Sequence, residues 1–263
     1  MNGLILYFSG TGNTRYIAET MSDEFIKNKY TIDIEAIDDM VTVDTDKYDF
    51  LVLGYPIYFM YSPLFFIDYV RNNISSSKDE KKVILFATMA APMKSSFREL
   101  ESILNDKKYK VVSTKTFRMP NNYLIGDKYK LTSEKKANAL IKKGNVNAIT
   151  MIRNFMVGKY KKQMLGKFYS GLFKSMAYKN IDDYKEKTTK FSTDNRCTGC
   201  LICKNSCPRR NIEIIDNKPA FGGKCVLCTR CINICPENAI LYDGVMRKQY
   251  KGLKNINSKF EKI

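Results

Sequence analysis

The 263-residue sequence has no His and no Trp, and none of its first 196 residues is Cys. The missing imidazole removes the commonest general base and proton shuttle, which argues against His-based triads and His-ligated zinc catalysis. Acidic side chains are also in short supply, 27 Asp+Glu against 44 Lys+Arg, a formal net charge of +17. The longest uncharged run, Phe50 to Ile67, is broken by Gly54, Pro56 and Pro63 and reads as strand, loop and helix start, not as a membrane span. Met1 to Phe8 lacks the basic start of a secretory signal, and the expected location is the cytoplasm. All 8 Cys lie between 197 and 235, so the two ends of the chain have different work.

The charge is unevenly spread. Residues 1–60 carry 4 basic and 10 acidic side chains, whereas 61–150 carry 17 and 8. A basic balance points to nucleic acid, an anionic membrane surface or an acidic protein partner. The sequence contains no nucleic-acid-binding motif, so nucleic acid is not expected, and docking of acidic protein redox partners is the preferred use of the charge. Oligomeric state has no signature in the sequence.

The first half alternates short apolar runs with helical periodicity. Leu4–Phe8 ends in Ser9-Gly10-Thr11-Gly12-Asn13-Thr14, after which Ile17, Met21, Phe25 and Ile26 recur at helical spacing. Further strands are expected at about Thr31–Ala36, Phe50–Gly54, Val83–Thr88 and Val111–Phe117, with helices near 63–73, 95–105 and 133–157. Five strands alternating with helices predict an α/β, doubly wound, five-stranded parallel sheet, which binds ligands beyond the carboxyl ends of its strands. The Ser9–Thr14 loop lies at such an end. Its small residues let backbone N–H groups approach a phosphate, its hydroxyls can donate, and the next helix presents its positive end. With Arg at position 15 and no Walker lysine, the loop favours the phosphate of flavin mononucleotide (FMN) over a dinucleotide or a nucleoside triphosphate. A plain glycine turn capping a helix is the competing reading.

Ser9-x-Thr11-Gly12-Asn13-Thr14 directly after the first strand resembles the phosphate loop of flavodoxins, over roughly the first 150 residues. The resemblance implies FMN, with Ser9, Gly10, Thr11, Gly12, Asn13 and Thr14 around the phosphate. It places the ring against Pro56, Ile57, Tyr58 and Phe59 after the third strand and Thr88, Met89 and Ala90 after the fourth. The chain departs from flavodoxins in lacking a Trp to stack on the ring, and the usual Gly and acidic residues after the fourth strand.

Near the other end, Cys197-x2-Cys200-x2-Cys203-x3-Cys207-Pro208 recurs 28 residues later as Cys225-x2-Cys228-x2-Cys231-x3-Cys235-Pro236, with Ile212 and Ile240 in register. Structural zinc is the competing use of such cysteines, and disulfides suit a reducing compartment poorly. Residues 191–245 resemble the two-cluster bacterial ferredoxins, which implies two 4Fe–4S clusters with crossed ligation. Cys197, Cys200, Cys203 and Cys235 would hold one, and Cys225, Cys228, Cys231 and Cys207 the other. The whole arrangement is similar to the small flavodoxin–ferredoxin fusions of the EFR1-type ferredoxin family.

The expected organisation is a flavodoxin-like domain over 1–157, a basic amphipathic helical connector over 158–190 and a small α+β ferredoxin-like domain over 191–263 with a C-terminal tail. From Met151 to Ala177 apolar pairs recur at helical spacing, with Lys159, Lys161, Lys162, Lys167 and Lys174 on the other face. A connector packing its apolar stripe is preferred to peripheral membrane contact, because Gly158, Gly166 and Gly171 weaken an isolated interfacial helix. The function these features imply is electron transfer between FMN, two clusters and protein redox partners. The alternative is an FMN-dependent reductase or dehydrogenase of a small organic or quinone-like substrate, with the clusters as its wire. No catalytic acid or base is assigned.

Overall fold

The computed structural model describes residues 1–37, 43–126, 130–179 and 181–250. The chain divides into two compact units. The first comprises Met1–Ser9, Asn13–Pro120 and Ser133–Ala177, and the second Gly10–Gly12, Asn121–Thr132 and everything from Tyr178 onward.

Strand β1 (Asn2–Tyr7) is buried at every position after Asn2, as an uncharged strand covered on both faces must be. Helix α1 (Asn13–Lys27) follows and buries Tyr16, Ile17, Met21 and Phe25 along one stripe. Then come β2 (Thr31–Ala36), β3 (Phe50–Pro56), α2 (Leu64–Asn73), β4 (Lys81–Met89), α3 (Arg98–Asp106), β5 (Tyr109–Arg118) and α4 (Glu134–Met156). The sheet runs β2-β1-β3-β4-β5 with every neighbour parallel, which makes it the flavodoxin-like doubly wound five-stranded sheet that the sequence predicts. The strand β2 departs from an apolar pattern. Its charged, largely exposed side chains suit an edge.

Aromatic rings fill the space over two strand glycines. A Cβ on Gly3 would lie 2.2 Å from the Phe50 ring, and one on Gly54 2.0 Å from that of Phe86. Phe50 also packs on Phe25 and Phe155 at centroid distances of 5.0 and 5.1 Å, tying β3 to α1 and α4.

The expected helix across Met151–Ala177 is interrupted. Helix α4 ends in a Schellman turn, with Gly158 at φ 73° and the Lys159 N–H bonded to Asn154 O at 2.8 Å. The chain then runs beside β5, where Thr114 N–H donates to Lys161 O and Gln163 N–H to Thr114 O, each at 3.1 Å. Helix α5 (Lys167–Lys179) follows and buries only Ser170. Its apolar residues do not form the packed stripe that the sequence predicts. Phe168 is 78 % exposed, and Tyr169, Leu172 and Met176 stand open beside it within a 100° arc opposite Ser170. Small Ser170 permits close packing on one side, and the bulky residues fall on the other.

The second unit holds α6 (Ile181–Thr188), β6 (Phe191–Thr193), α7 (Ile202–Asn205), β7 (Ile212–Ile215), β8 (Lys218–Phe221), α8 (Arg230–Ile234), β9 (Ile240–Tyr242) and β10 (Val245–Met246). β6 pairs with β9 and β9 with β10, while β7–β8 forms its own hairpin. Both hairpins turn on residues in left-handed conformation, Asp216-Asn217 and Asp243-Gly244, as two-residue turns between antiparallel strands require. Phe191, Leu227, Ile232, Ile240 and Tyr242 form the core, against which Cys203, Cys225, Cys231 and Cys235 pack. The last residues of the expected tail, 251–263, lie outside the described residues.

Candidate functional site

Two sites emerge. In the order β2-β1-β3-β4-β5 the chain leaves β1 toward one side of the sheet and β3 toward the other, so a crevice opens beyond their carboxyl ends. Within the first unit Ser9 follows β1 there and Ile57–Tyr61 follows β3, while Gly10–Gly12 is the chain segment between β1 and α1. Gly12 has φ +102°, a conformation closed to β-branched residues, and no heavy atom lies within 4 Å of where its Cβ would stand. Gly12 lies directly before α1, whose positive N-terminal end favours an anion. This geometry fits a phosphate.

The polar side chains of the loop have mostly structural duties. Asn13 Nδ2 donates to Pro120 O at 2.9 Å, and the hydroxyls of Thr14 and Thr88 lie 2.8 Å apart. Thr14 and Thr88 are both deeply buried, so their mutual bond fastens α1 to the end of β4. Within the second unit Thr11 Oγ1 accepts from Asn122 Nδ2, and Gly10 O accepts from Arg230 Nε at 3.1 Å. Asn122 and Arg230 lie 111 and 220 residues from their partners and carry no local sequence signal.

The loop after β3 is a tight turn. Tyr58 and Tyr61 exchange both backbone hydrogen bonds at 3.0 and 2.9 Å, and Phe59 and Met60 between them have φ 48° and 66°. Two bulky residues in left-handed conformation cost roughly 1 kcal/mol or more each, strain of the kind that collects at functional sites. The turn presents Phe59 45 % exposed, an aromatic face in a chain without Trp. Ile57 N–H is bonded to Thr88 O at 2.8 Å, joining the β3 and β4 loops, while Pro56 is half-buried and Met89 buried. Ala90 is exposed, with its carbonyl held by Arg118 Nε at 3.2 Å.

The second site lies wholly in the second unit. Its eight cysteines are unpaired with one another and line two cavities. Cys197, Cys200, Cys203 and Cys235 line one, and Cys207, Cys225, Cys228 and Cys231 line the other. Each run of four thus gives three cysteines to one cavity and its last to the other.

The electrostatics sort the thiols identically. Burial pushes the Cys203 thiol up, and Cys197, Cys200 and Cys235 add to the effect. Cys225 is pushed up to about 12, first by burial and then by Cys228 and Cys207. Cys231 rises well above the usual thiol range for the same reasons, with Cys228, Cys225 and Cys207 as its neighbours. Thiols crowded in this way need a cationic centre to ionise.

Backbone conformation repeats with the cysteines. Left-handed residues recur at the 28-residue offset: Gly199 with Leu227, Leu201 with Thr229, and Arg210 with Asn238. Four of these are neither Gly nor Asn, so a shared requirement of the loops overrides their intrinsic preference. The N–H of Asn211 donates to Cys207 Sγ at 3.4 Å, and that of Ala239 to Cys235 Sγ at 3.3 Å, again at equivalent positions. Leu227 N–H likewise reaches Cys225 Sγ at 3.4 Å. A zinc ion would draw four sulfurs to about 2.3 Å from one centre. Among the described residues no three His, Cys, Asp or Glu side chains form a group that could hold a single metal ion. Four thiols line each cavity, with amide N–H groups turned to Cys207, Cys225 and Cys235, a donor set that could hold a metal centre.

Comparison with known proteins bears on the first site. A family model described as a flavodoxin domain matches residues 4–117. The chain is 33% identical over 111 residues to the flavodoxin-like domain-containing protein BilS of Clostridioides difficile (strain CD3), a match covering 40% of this chain and 58% of that relative. Among solved structures, oxidised flavodoxin 2 from Bacillus cereus aligns at 19% identity and a TM-score of 0.38, over 57% of this chain and 96% of that one. General stress protein 14 of Treponema denticola, solved in complex with FMN, aligns at 14% identity and a TM-score of 0.40, over 58% and 98%. The N-terminal part of the chain is thus flavodoxin-like in both sequence and strand order.

Proposed function

We propose that this protein is an electron carrier that binds FMN at the β1, β3 and β4 loops and two 4Fe–4S clusters at its paired cysteine cavities. The observation that carries the reading is the partition of eight cysteines into two crossed sets of four, each around its own cavity. Cys197, Cys200, Cys203 and Cys235 would hold one cluster and Cys207, Cys225, Cys228 and Cys231 the other. FMN accepts or gives one or two electrons and each cluster one, so together they would link two-electron to one-electron partners. The protein's own task is to hold these groups and tune them. Amide N–H groups at Asn211, Leu227 and Ala239 point to sulfur, and the open Gly12 backbone receives the phosphate.

The surplus of Lys and Arg suits electron exchange with acidic protein partners, because complementary charge speeds encounter without demanding tight binding. Thiol-ligated clusters suit a reducing compartment such as the cytoplasm. Among the described residues no helix is long and apolar enough to cross a membrane.

Anaerobically purified protein should contain about eight iron and about eight sulfide per chain together with FMN. Stoichiometric zinc with iron near zero would overturn the reading. Repeated turnover of a small substrate to a stable product would instead make the protein an FMN-dependent reductase.

A further inference from the structure

Resting on the two-cluster reading above, we propose that the cluster held by Cys207, Cys225, Cys228 and Cys231 has the higher reduction potential of the two, and that Arg209, Asn211 and Arg230 set it there. The duplication supplies an internal control, because most positions around one cavity have a counterpart 28 residues away around the other. Arg209 lines the Cys207 cavity, and its counterpart Glu237 lines the Cys197 cavity. Arg230 corresponds to Ile202 and Asn211 to Ala239, each again lining its own cavity. At all three positions the cationic or hydrogen-bond-donating member of the pair stands beside Cys207. Position 196/224 is cationic in both halves and does not discriminate. Arg196 is moreover held by Asp194, its Nε 3.1 and 3.0 Å from the two carboxylate oxygens.

Reducing either cluster adds one electron and one negative charge, with no bond made or broken and no proton moved. Nearby positive charge and N–H donors therefore favour the reduced form, and a carboxylate opposes it. Asn211 is only 5 % exposed. Its Oδ1 accepts the Lys224 N–H at 2.6 Å, which identifies the other terminal atom as the amide nitrogen. That Nδ2 is buried with no partner in the protein, a costly state that a cluster sulfur in the adjoining cavity would relieve. Ala239 offers the other cluster nothing comparable.

Burial acts against this trend. Cys200 is exposed in the first set, whereas all four cysteines of the second are at least half-buried, and burial disfavours added charge. The same burial removes the solvent that would screen Arg209, Arg230 and Asn211, while the opposing Glu237 is exposed and screened. Three groups acting in the drier cavity outweigh its desolvation. With that ordering, an added electron would rest preferentially on the cluster that Cys207, Cys225, Cys228 and Cys231 would hold.

The test is an anaerobic titration of the full-length protein with dithionite and mediators, followed by EPR. Wild-type protein should show two one-electron steps at different potentials. Arg209→Glu should lower the first step and leave the second in place. Asn211→Ala should lower the first step by less, and Glu237→Arg should raise only the second. Should Arg209→Glu fail to assemble its cluster, the other two variants decide. Two steps at one potential, or shifts confined to the opposite step, would overturn the inference while the iron content still supports two clusters. Protein that assembles no iron would overturn the underlying reading instead.

Discussion

The hydroxyls of Thr14 and Thr88 lie 2.8 Å apart, both residues almost wholly withdrawn from solvent. Thr14 opens α1 and Thr88 lies near the end of β4, so their bond spans the floor of the flavin crevice. Replacing Thr14 by Val keeps the shape but leaves the Thr88 hydroxyl buried and unpaired. Such a loss costs about 1–3 kcal/mol. Urea unfolding of FMN-free protein should therefore show a lower midpoint. Were the Thr14 hydroxyl only a phosphate ligand, the FMN-free protein would be unchanged.

Gly12 allows a different test, because nothing in the protein crowds it and its φ of +102° alone makes a side chain unwelcome. Gly12→Val should strain the loop and put two methyl groups where a phosphate would approach. FMN affinity should fall by at least 100-fold, about 3 kcal/mol. Iron content should not change. Flavin fluorescence on ultrafiltration and an iron assay on the same sample check both halves.

The five strands were legible because the runs that form them ended at a turn or a helical period. The two Cys runs stood out because their spacing is local. Long-range bonds were not. Asn122 on Thr11 and Arg230 on Gly10 join residues far apart in sequence, and nothing near either one signals its partner. The helix over Met151–Ala177 failed for a local reason, since Gly158 in the left-handed region closes α4 where the apolar period continues. Periodicity also could not tell which side of α5 would pack. Ser170, not Phe168 or Leu172, faces inward because a small side chain allows close approach there.

That inversion gives a prediction by magnitude. If the apolar side chains of α5 were core, truncating one would cost about 2–5 kcal/mol. As they are exposed, Phe168→Ser and Leu172→Ser should each change stability by no more than about 0.5 kcal/mol, with FMN and iron retained. Thermal melts of the two variants beside the parent protein decide between these outcomes.

Removing the clusters should affect the two units unequally. The core of the second unit is small, and four of its cysteines pack directly against it, so the proposed metal binding there would supply folding free energy. Oxidative stripping of iron in the presence of a chelator should unfold that unit. The five-stranded sheet, with its own aromatic core, should survive. Near-ultraviolet circular dichroism and amide hydrogen exchange should show protection kept in β1, β3 and β4 and lost around Phe191 and Tyr242.

Cys207 is the sharpest test of ligand assignment because its sequence neighbours and its spatial neighbours differ. In sequence it closes the run that begins at Cys197. In space it shares a cavity with Cys225, Cys228 and Cys231, and its charge bears on Cys225 and Cys231. Cys207→Ser should therefore damage the cluster of the second run and spare that of Cys197, Cys200, Cys203 and Cys235. Cys235→Ser should do the reverse. In the doubly reduced wild-type protein the two paramagnetic clusters should broaden each other's EPR signals, and each variant should sharpen the one that remains. Which one remains can be read from potential: the survivor in Cys207→Ser should titrate with the lower wild-type step, and the survivor in Cys235→Ser with the higher. If each substitution instead removed the cluster of its own run, ligation would follow sequence order and the two cavities would not be the cluster sites.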